Sequence, residues 1–225
     1  LSRIKKFTQK FFLNRGITRH NAYIAQSGLN PKRLHLKNKT FRDIPFSIVN
    51  LQDACVENCY FFDCDFSRVK FQNTRLLNCN FHGCKFTNND LIENSYFDYC
   101  DFYDCEFLHG NTVSECRFSY SGFYKCDIES MLVIKCSFED CWTDKCELNS
   151  FNLLNSNFNN CTLEECTIEQ SCIDSDLTGI EIDHLSIESG FGILNITLPH
   201  FEEMYFWRHG KKTFVFCSEL NDESY

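Results

Sequence analysis

The chain has 225 residues, 43% of them hydrophobic, and its 31 acidic and 22 basic residues give a formal net charge of -9. It contains no apolar run of the roughly 20 residues that a membrane-spanning helix requires, and it has only three prolines. These properties argue against a transmembrane helix and against a disordered linker, and they favour one soluble domain.

Residues 1–33 form a basic N-terminal segment with eight Lys or Arg and no acidic residue. Ile4, Phe7 and Phe11 recur at intervals of three and four between the cationic residues, which predicts an amphipathic helix, and a second short helix follows. We expect this segment to cap the open end of the domain that follows. The alternative is that residues 1–16 attach to an anionic membrane surface or to nucleic acid.

Residues 34–190 place a large apolar residue, here called a centre, at nearly every fifth position. The first centres are Leu36, Phe41, Phe46, Leu51, Val56, Phe61 and Phe66. A period of five matches neither a helix nor a strand, so it indicates a solenoid in which each repeat builds one wall. One extra residue enters between Leu91 and Phe97 and again between Phe107 and Val113, and we interpret both as bulges.

The residue two positions before a centre is small and most often cysteine, and this combination resembles the pentapeptide-repeat family. The resemblance implies an all-β solenoid, a right-handed quadrilateral β-helix with four repeats to a coil and about eight coils. Residues 20 apart, or 21 across an extra residue, then stack on one wall about 4.8 Å apart. Three walls begin at Leu36, Phe41 and Phe46, and the fourth is predicted to carry Leu51, Phe71, Leu91, Val113, Val133, Leu153 and Ile173.

Thirteen of the 16 cysteines lie two residues before a centre, which predicts that they fill the narrow core. One predicted column consists of Cys64, Cys84, Cys105, Cys126, Cys146 and Cys166. No Cys-x-x-Cys or Cys/His spacing indicates zinc, so neither a metal nor a cofactor is expected. So many unpaired thiols favour a reducing, cytoplasmic location.

The C-terminal segment, residues 191–225, contains a predicted helix over residues 197–210, because acidic residues come early in it and basic residues late. A strand is predicted over residues 213–217. The resemblance to topoisomerase-protecting family members implies that such a helix joins two rods into a homodimer, here through Phe201, Met204, Tyr205 and Trp207. The alternative is that the segment only caps the solenoid.

Residues 34–190 hold 26 acidic and 11 basic residues, a balance of 11 − 26 = −15. The acidic column, an outward row on one predicted wall, consists of Asp65, Glu106, Asp127 and Glu147. Rows of carboxylates at coil spacing imitate the phosphate rows of DNA. The resemblance to Qnr-type and microcin-immunity proteins therefore implies binding to a type II topoisomerase, DNA gyrase or topoisomerase IV, although the long surface loops of Qnr-type proteins are absent. The alternative is that these acids only keep the surface soluble.

A second candidate surface is the aromatic corner, the exposed side chains that the repeat places near one edge: Tyr99, Tyr103, Tyr120, Tyr124 and Trp142. It supports a second hypothesis, a scaffold or secreted effector module that engages a protein or membrane through its basic N-terminus or this corner. The seven histidines are scattered, and there is neither a nucleophile elbow nor a glycine-rich phosphate loop. The sequence therefore predicts a protein that is not an enzyme.

Overall fold

This structure is a computed structural model that describes residues 33–88, 92–169, 172–176, 180–183, 185–187, 192–193, 204–208 and 211–214. In these ranges the regular structure is β throughout except for one short 3-10 turn, Phe46–Ile48. None of the described segments is a helix with the length and apolar character needed to cross a membrane. The predicted N-terminal helices lie outside the described residues.

The strands are short, mostly three residues each, because a corner follows every wall. In chain order they are β1 (His35–Lys37), β2 (Thr40–Arg42), β3 (Cys55–Glu57), β4 (Tyr60–Phe62), β5 (Phe71–Gln72), β6 (Arg75–His82), β7 (Lys85–Thr87), β8 (Ile92–Glu93), β9 (Tyr96–Tyr103), β10 (Glu106–Leu108), β11 (Thr112–Ser114), β12 (Arg117–Ser119), β13 (Gly122–Tyr124) and β14 (Asp127–Glu129). The second half continues with β15 (Leu132–Ile134), β16 (Ser137–Glu139), β17 (Trp142–Asp144), β18 (Glu147–Asn149), β19 (Asn152–Asn159), β20 (Cys161–Glu164), β21 (Thr167–Glu169), β22 (Cys172–Asp176), β23 (Ile180–Asp183), β24 (Leu185–Ile187), β25 (Gly192–Ile193), β26 (Met204–Arg208) and β27 (Lys211–Phe214).

The strands form a parallel solenoid in which each residue pairs with the one 20 or 21 positions later, and late in the ladders with the one 19 positions later. The wall that begins at Phe41 pairs it with Phe61, then continues through Phe81, Phe102, Phe123, Thr143 and Leu163 to Ile182. Four such ladders alternate along the chain, so the cross-section is four-sided. The predicted all-β solenoid and its pairing register are confirmed.

The regular part of the solenoid makes six complete turns, from Leu36 to Phe158. The prediction of about eight coils was therefore too high. Beyond this point the pairing of β19 with β22 shifts, and Asn157 pairs with Asp176, only 19 positions later. The repeat is one residue shorter there. The later strands still pair with the preceding ones, but the spacing between partners is no longer a regular 20 or 21 residues.

The fourth wall differs from the prediction at one centre. Ile92, not Leu91, pairs with Phe71 on one side and with Val113 on the other, and its side chain is buried. The first extra residue therefore lies between Phe86 and Ile92. Two adjacent apolar residues offer the same hydrophobic signal, so the five-residue period alone did not decide between them. The second extra residue lies between Phe107 and Val113, as predicted.

The core consists of ring ladders and thiols. Phe61, Phe81 and Phe102 stack at centroid distances of 4.8 Å, and Phe66 meets Phe81 edge-on across the corner at 5.5 Å. Every cysteine from Cys55 to Cys166 is a free thiol, and all of them except Cys55 are buried. Burial raises the pKa of the Cys59 thiol to about 11, which makes it unreactive. The predicted core role of the cysteines is confirmed.

The C-terminal helix prediction was wrong for its described part, because residues 204–208 form strand β26. This strand pairs parallel with β24, Leu185 opposite Met204, and antiparallel with β27. Aromatic residues at 205–207 have high strand propensity, and β24 offers an edge to pair with. Those two effects outweigh the charge pattern that predicted a helix. The strand predicted over residues 213–217 is observed over Lys211–Phe214.

Candidate binding surface

The acidic column lies where the sequence predicts it, but it contains a lysine that the prediction omitted. Asp65 is paired with Lys85, which is followed by Glu106, Asp127 and Glu147. The ammonium group of Lys85 lies 2.9 Å from a carboxylate oxygen of Glu106. Asp65 is therefore separated from the other three acids, and one of its carboxylate oxygens accepts the backbone N–H of Ser67 at 2.9 Å.

The remaining three members, Glu106, Asp127 and Glu147, are consecutive register partners of like charge. Among the described residues neither Asp127 nor Glu147 forms an ion pair. Burial raises the pKa of Asp127, and the charges of Glu147, Glu129 and Glu106 raise it further. Because like charges directly opposite each other destabilise a sheet, this stretch works against the fold.

Three acids on other rows form ion pairs with cations on neighbouring coils. Lys37 lies 2.8 Å from Glu57, Arg117 lies 2.7 Å from Glu139, and Lys145 lies 3.1 Å from Glu165. These pairs are solvent-exposed, so each one contributes little to stability. They show, however, that the solenoid readily places a cation beside an acid at coil spacing. Asp127 and Glu147 depart from that pattern, whereas Glu106 follows it through Lys85.

The aromatic corner is two separate groups rather than one patch. Tyr99 and Tyr120 stack at 4.9 Å, whereas Tyr103 contacts Tyr124 at 6.2 Å and Trp142 at 6.3 Å. The first pair occupies the corner before a wall. In the second group, Tyr103 and Tyr124 lie at the end of that wall and Trp142 lies at its start. Within the described part of the chain no ring contact joins the two groups.

Tyr99 and Tyr120 occupy a corner where the backbone is left-handed, with φ of 54° and 49°. Asparagine fills the same corner on the preceding coils, and Asn78 donates an amide hydrogen bond to Asn58 at 2.9 Å. Asparagine tolerates this conformation far better than tyrosine does. The two tyrosines are 53% and 47% exposed, so burial does not offset this strain. Exposed, strained aromatic residues are candidates for a protein contact.

The second group belongs to a longer ladder that sequence reasoning did not detect. His82 stacks on Tyr103 at 4.6 Å and on Phe62 at 5.0 Å, and the guanidinium of Arg42 lies 3.8 Å above the Phe62 ring. The signal was present in the sequence, since these residues follow their centres by one position at intervals of 20 or 21. It becomes visible only when residues 20 or 21 positions apart are compared with one another, because neighbours in the chain do not belong to the same ladder.

Trp142 turns outward, as its place beside Thr143 predicts. Its indole lies against Gly122, its register partner on the preceding coil. The ring is therefore half-buried and flat on the wall, and it reaches Tyr103 on the coil before that.

The sequence model for pentapeptide repeats matches residues 64–93, and the structure shows the same repeat building four walls from Leu36 onwards. The chain contains pentapeptide repeats. No curated protein sequence matches it.

Among solved structures, three similar ones are pentapeptide-repeat or resistance proteins. Full-length QnrB1, a plasmid-mediated fluoroquinolone resistance protein, is 14% identical, with 76% of this chain and 93% of that one covered and a TM-score of 0.35. A trypsin-treated QnrB1 variant is 13% identical, with coverage of 69% and 92% and a TM-score of 0.32. HetL, involved in heterocyst differentiation regulation in the cyanobacterium Nostoc, is 10% identical, with coverage of 75% and 84% and a TM-score of 0.27. Such low values say nothing about the activity of this pentapeptide-repeat protein.

The residues predicted to dimerise this pentapeptide-repeat protein lie at the end of its described part. Met204, Tyr205 and Trp207 belong to strand β26, and Phe201 lies outside the described residues. Dimerisation through them remains a prediction, now through a β-hairpin rather than a helix.

One group of side chains in the described ranges has the composition of a metal site: His35, Cys55 and Glu57. Sequence reasoning missed it because the three residues belong to two different coils. Their proximity depends on the pairing of β1 with β3.

Proposed function

We propose that this pentapeptide-repeat protein is a non-catalytic binding protein whose acidic column docks into the basic DNA-binding groove of a type II topoisomerase, DNA gyrase, and modulates or protects that enzyme. The observation that carries the proposal is the stack of three acids, Glu106, Asp127 and Glu147, in which only Glu106 has an ion-pair partner, Lys85. A row that destabilises the fold is retained most simply if a partner neutralises it on binding.

The chemistry of such a partner follows from the shape and charge of the row. The three carboxylates repeat along a straight wall at about 4.8 Å, the strand spacing. A groove lined with Lys and Arg that holds the phosphates of DNA is attracted to such a row by the same electrostatic force. The resemblance described in the sequence analysis selects a type II topoisomerase among proteins with such grooves.

Surface plasmon resonance with immobilised DNA gyrase tests the proposal. We expect the intact chain to bind at low salt, to dissociate faster as salt rises, and to compete with duplex DNA. Binding that duplex DNA leaves unchanged would contradict DNA mimicry even if the gyrase interaction itself were real. Absence of binding at low salt would contradict the choice of partner.

A second candidate function is a scaffold that binds a protein through Tyr99 and Tyr120. The exposure of this stacked pair at a strained corner favours it. The pair and the acidic stack lie on different walls, so variants of each distinguish the two functions.

A further inference from the structure

Among the cysteines from Cys55 to Cys166, one does not follow the rule that places thiols in the core. Cys55 precedes its centre, Val56, by one residue instead of two, so its side chain points outward. It alone in that range is not buried. Packing beside the phenylalanine ladder therefore does not explain it.

Two other side chains that bind metals lie beside Cys55. His35 is its register partner on the preceding coil, and Glu57 follows it by two residues on the same face of the strand. One carboxylate oxygen of Glu57, Oε1, lies 3.3 Å from Nε2 of His35 and 3.3 Å from Sγ of Cys55. One donor atom from each of the three residues lies within 4.8 Å of the donor atoms of the other two.

We propose that His35, Cys55 and Glu57 bind one borderline divalent transition metal ion of the zinc class. Tetrahedral coordination with bonds of about 2.0–2.3 Å places donor atoms about 3.3–3.7 Å apart, and two of the three pairs already have that separation. The His35 side chain is 49% exposed and is free to rotate and close the third pair. A nitrogen, a thiolate and a carboxylate oxygen suit zinc rather than magnesium or calcium, which prefer oxygen ligands only.

The neighbouring charges orient one ligand and moderate the affinity. Lys37 holds the other carboxylate oxygen of Glu57, Oε2, at 2.8 Å, which leaves Oε1 for the metal. Arg33 and Arg75 lie close enough to interact electrostatically with Cys55. Burial and the Glu57 carboxylate raise the pKa of the Cys55 thiol, and the two arginines offset only part of that rise while repelling a cation. The three protein ligands leave the fourth position to water or to a group of a partner, as in open zinc sites.

Metal binding exchanges a proton for the ion. The thiol of Cys55 donates its hydrogen to Oε1 of Glu57. A divalent ion takes that place, a metal–sulfur bond replaces the S–H bond, and one proton leaves to solvent. No oxidant or reductant is needed, and the cysteine stays reduced.

Titration of the metal-free, reduced full chain with Co(II) tests the proposal, because cobalt bound to thiolate gives a near-ultraviolet charge-transfer band. We expect one band-forming ion per chain, with the band lost in Cys55→Ser. Removing the imidazole in His35→Gln should weaken binding at least about tenfold, the cost of disturbing even an outer-shell group. A band that persists in Cys55→Ser, or that never forms in the intact chain, would overturn the proposal.

Two controls separate coordination from surface charge and folding. Lys37→Gln removes the ion pair with Glu57 but leaves every proposed ligand, so the band should remain. Glu57→Gln, in contrast, should weaken cobalt binding at least about tenfold. His109→Gln, an exposed histidine at another corner, should change nothing. Zinc should also raise the thermal midpoint of the intact chain but not of Cys55→Ser. Equal stabilisation of both would contradict the site.

Discussion

The indole ring of Trp142 lies so close to Gly122, its partner on the preceding coil, that a Cβ at Gly122 would come within 1.9 Å of Cε2. The glycine has no left-handed backbone that would otherwise require it. The missing side chain is therefore what allows the tryptophan to lie flat on the wall and reach Tyr103.

Gly122→Ala should destabilise the protein by about 1–3 kcal/mol, the usual cost of forcing extra atoms into a packed site. Urea unfolding measures the loss. The matched background is Trp142→Ala, in which the same glycine substitution should cost almost nothing. An equal loss in both backgrounds would show that the glycine is needed for another reason.

Asp127→Asn should stabilise the protein near neutral pH by about 0.2–1 kcal/mol, because it removes a charge that faces Glu106 and Glu147. The pKa of Asp127 is raised in the folded state, so ionisation of this group costs stability as pH rises through that pKa. The gain from the asparagine should therefore shrink as pH falls and the aspartate becomes protonated.

Urea unfolding of both forms at about pH 7 and at about pH 3 measures this effect, because the carboxyl group changes charge between these two pH values. Glu115→Gln, at an exposed corner on another side, is the control and should change stability little at either pH. A loss of stability in Asp127→Asn near neutral pH would contradict the repulsion inferred from the stack.

The double substitution Tyr99→Asn and Tyr120→Asn should leave the protein at least as stable as the original. It gives up a ring stack of about 0.5–1.5 kcal/mol but relieves left-handed strain of about 1–2 kcal/mol at each site. If these tyrosines bind a protein, that interaction should disappear while the unfolding midpoint does not fall. A large drop in the unfolding midpoint would mean that the pair is structural.

Lys85→Gln should strengthen binding to a basic partner, because Lys85 is the cation that interrupts the acidic column and pairs with Glu106. Surface plasmon resonance at low and high salt measures the effect, which should be larger at low salt. Lys135→Gln, at a different corner, is the control for net charge. Equal gains in the two variants would show that only the total charge matters.

The sequence predicted the walls because the five-residue period is long and specific, and the pairing of Phe41 with Phe61 follows from it directly. It did not decide between Leu91 and Ile92, since both are apolar. It also assigned residues 204–208 to a helix, because charge pattern does not report an available strand edge. The prediction of the acidic column also omitted Lys85. The charge of that column depends on residues 20 or 21 positions apart, which are neighbours in space but not along the chain.

The most direct measurement compares gyrase binding of two triple variants that lose the same number of charges. One neutralises the stack with Glu106→Gln, Asp127→Asn and Glu147→Gln. The other neutralises acids on other walls and corners with Glu93→Gln, Asp98→Asn and Glu115→Gln. We predict that the first loses binding and the second retains it in surface plasmon resonance at low salt. Equal loss in both, or retained binding in the first, would contradict the role of the stack.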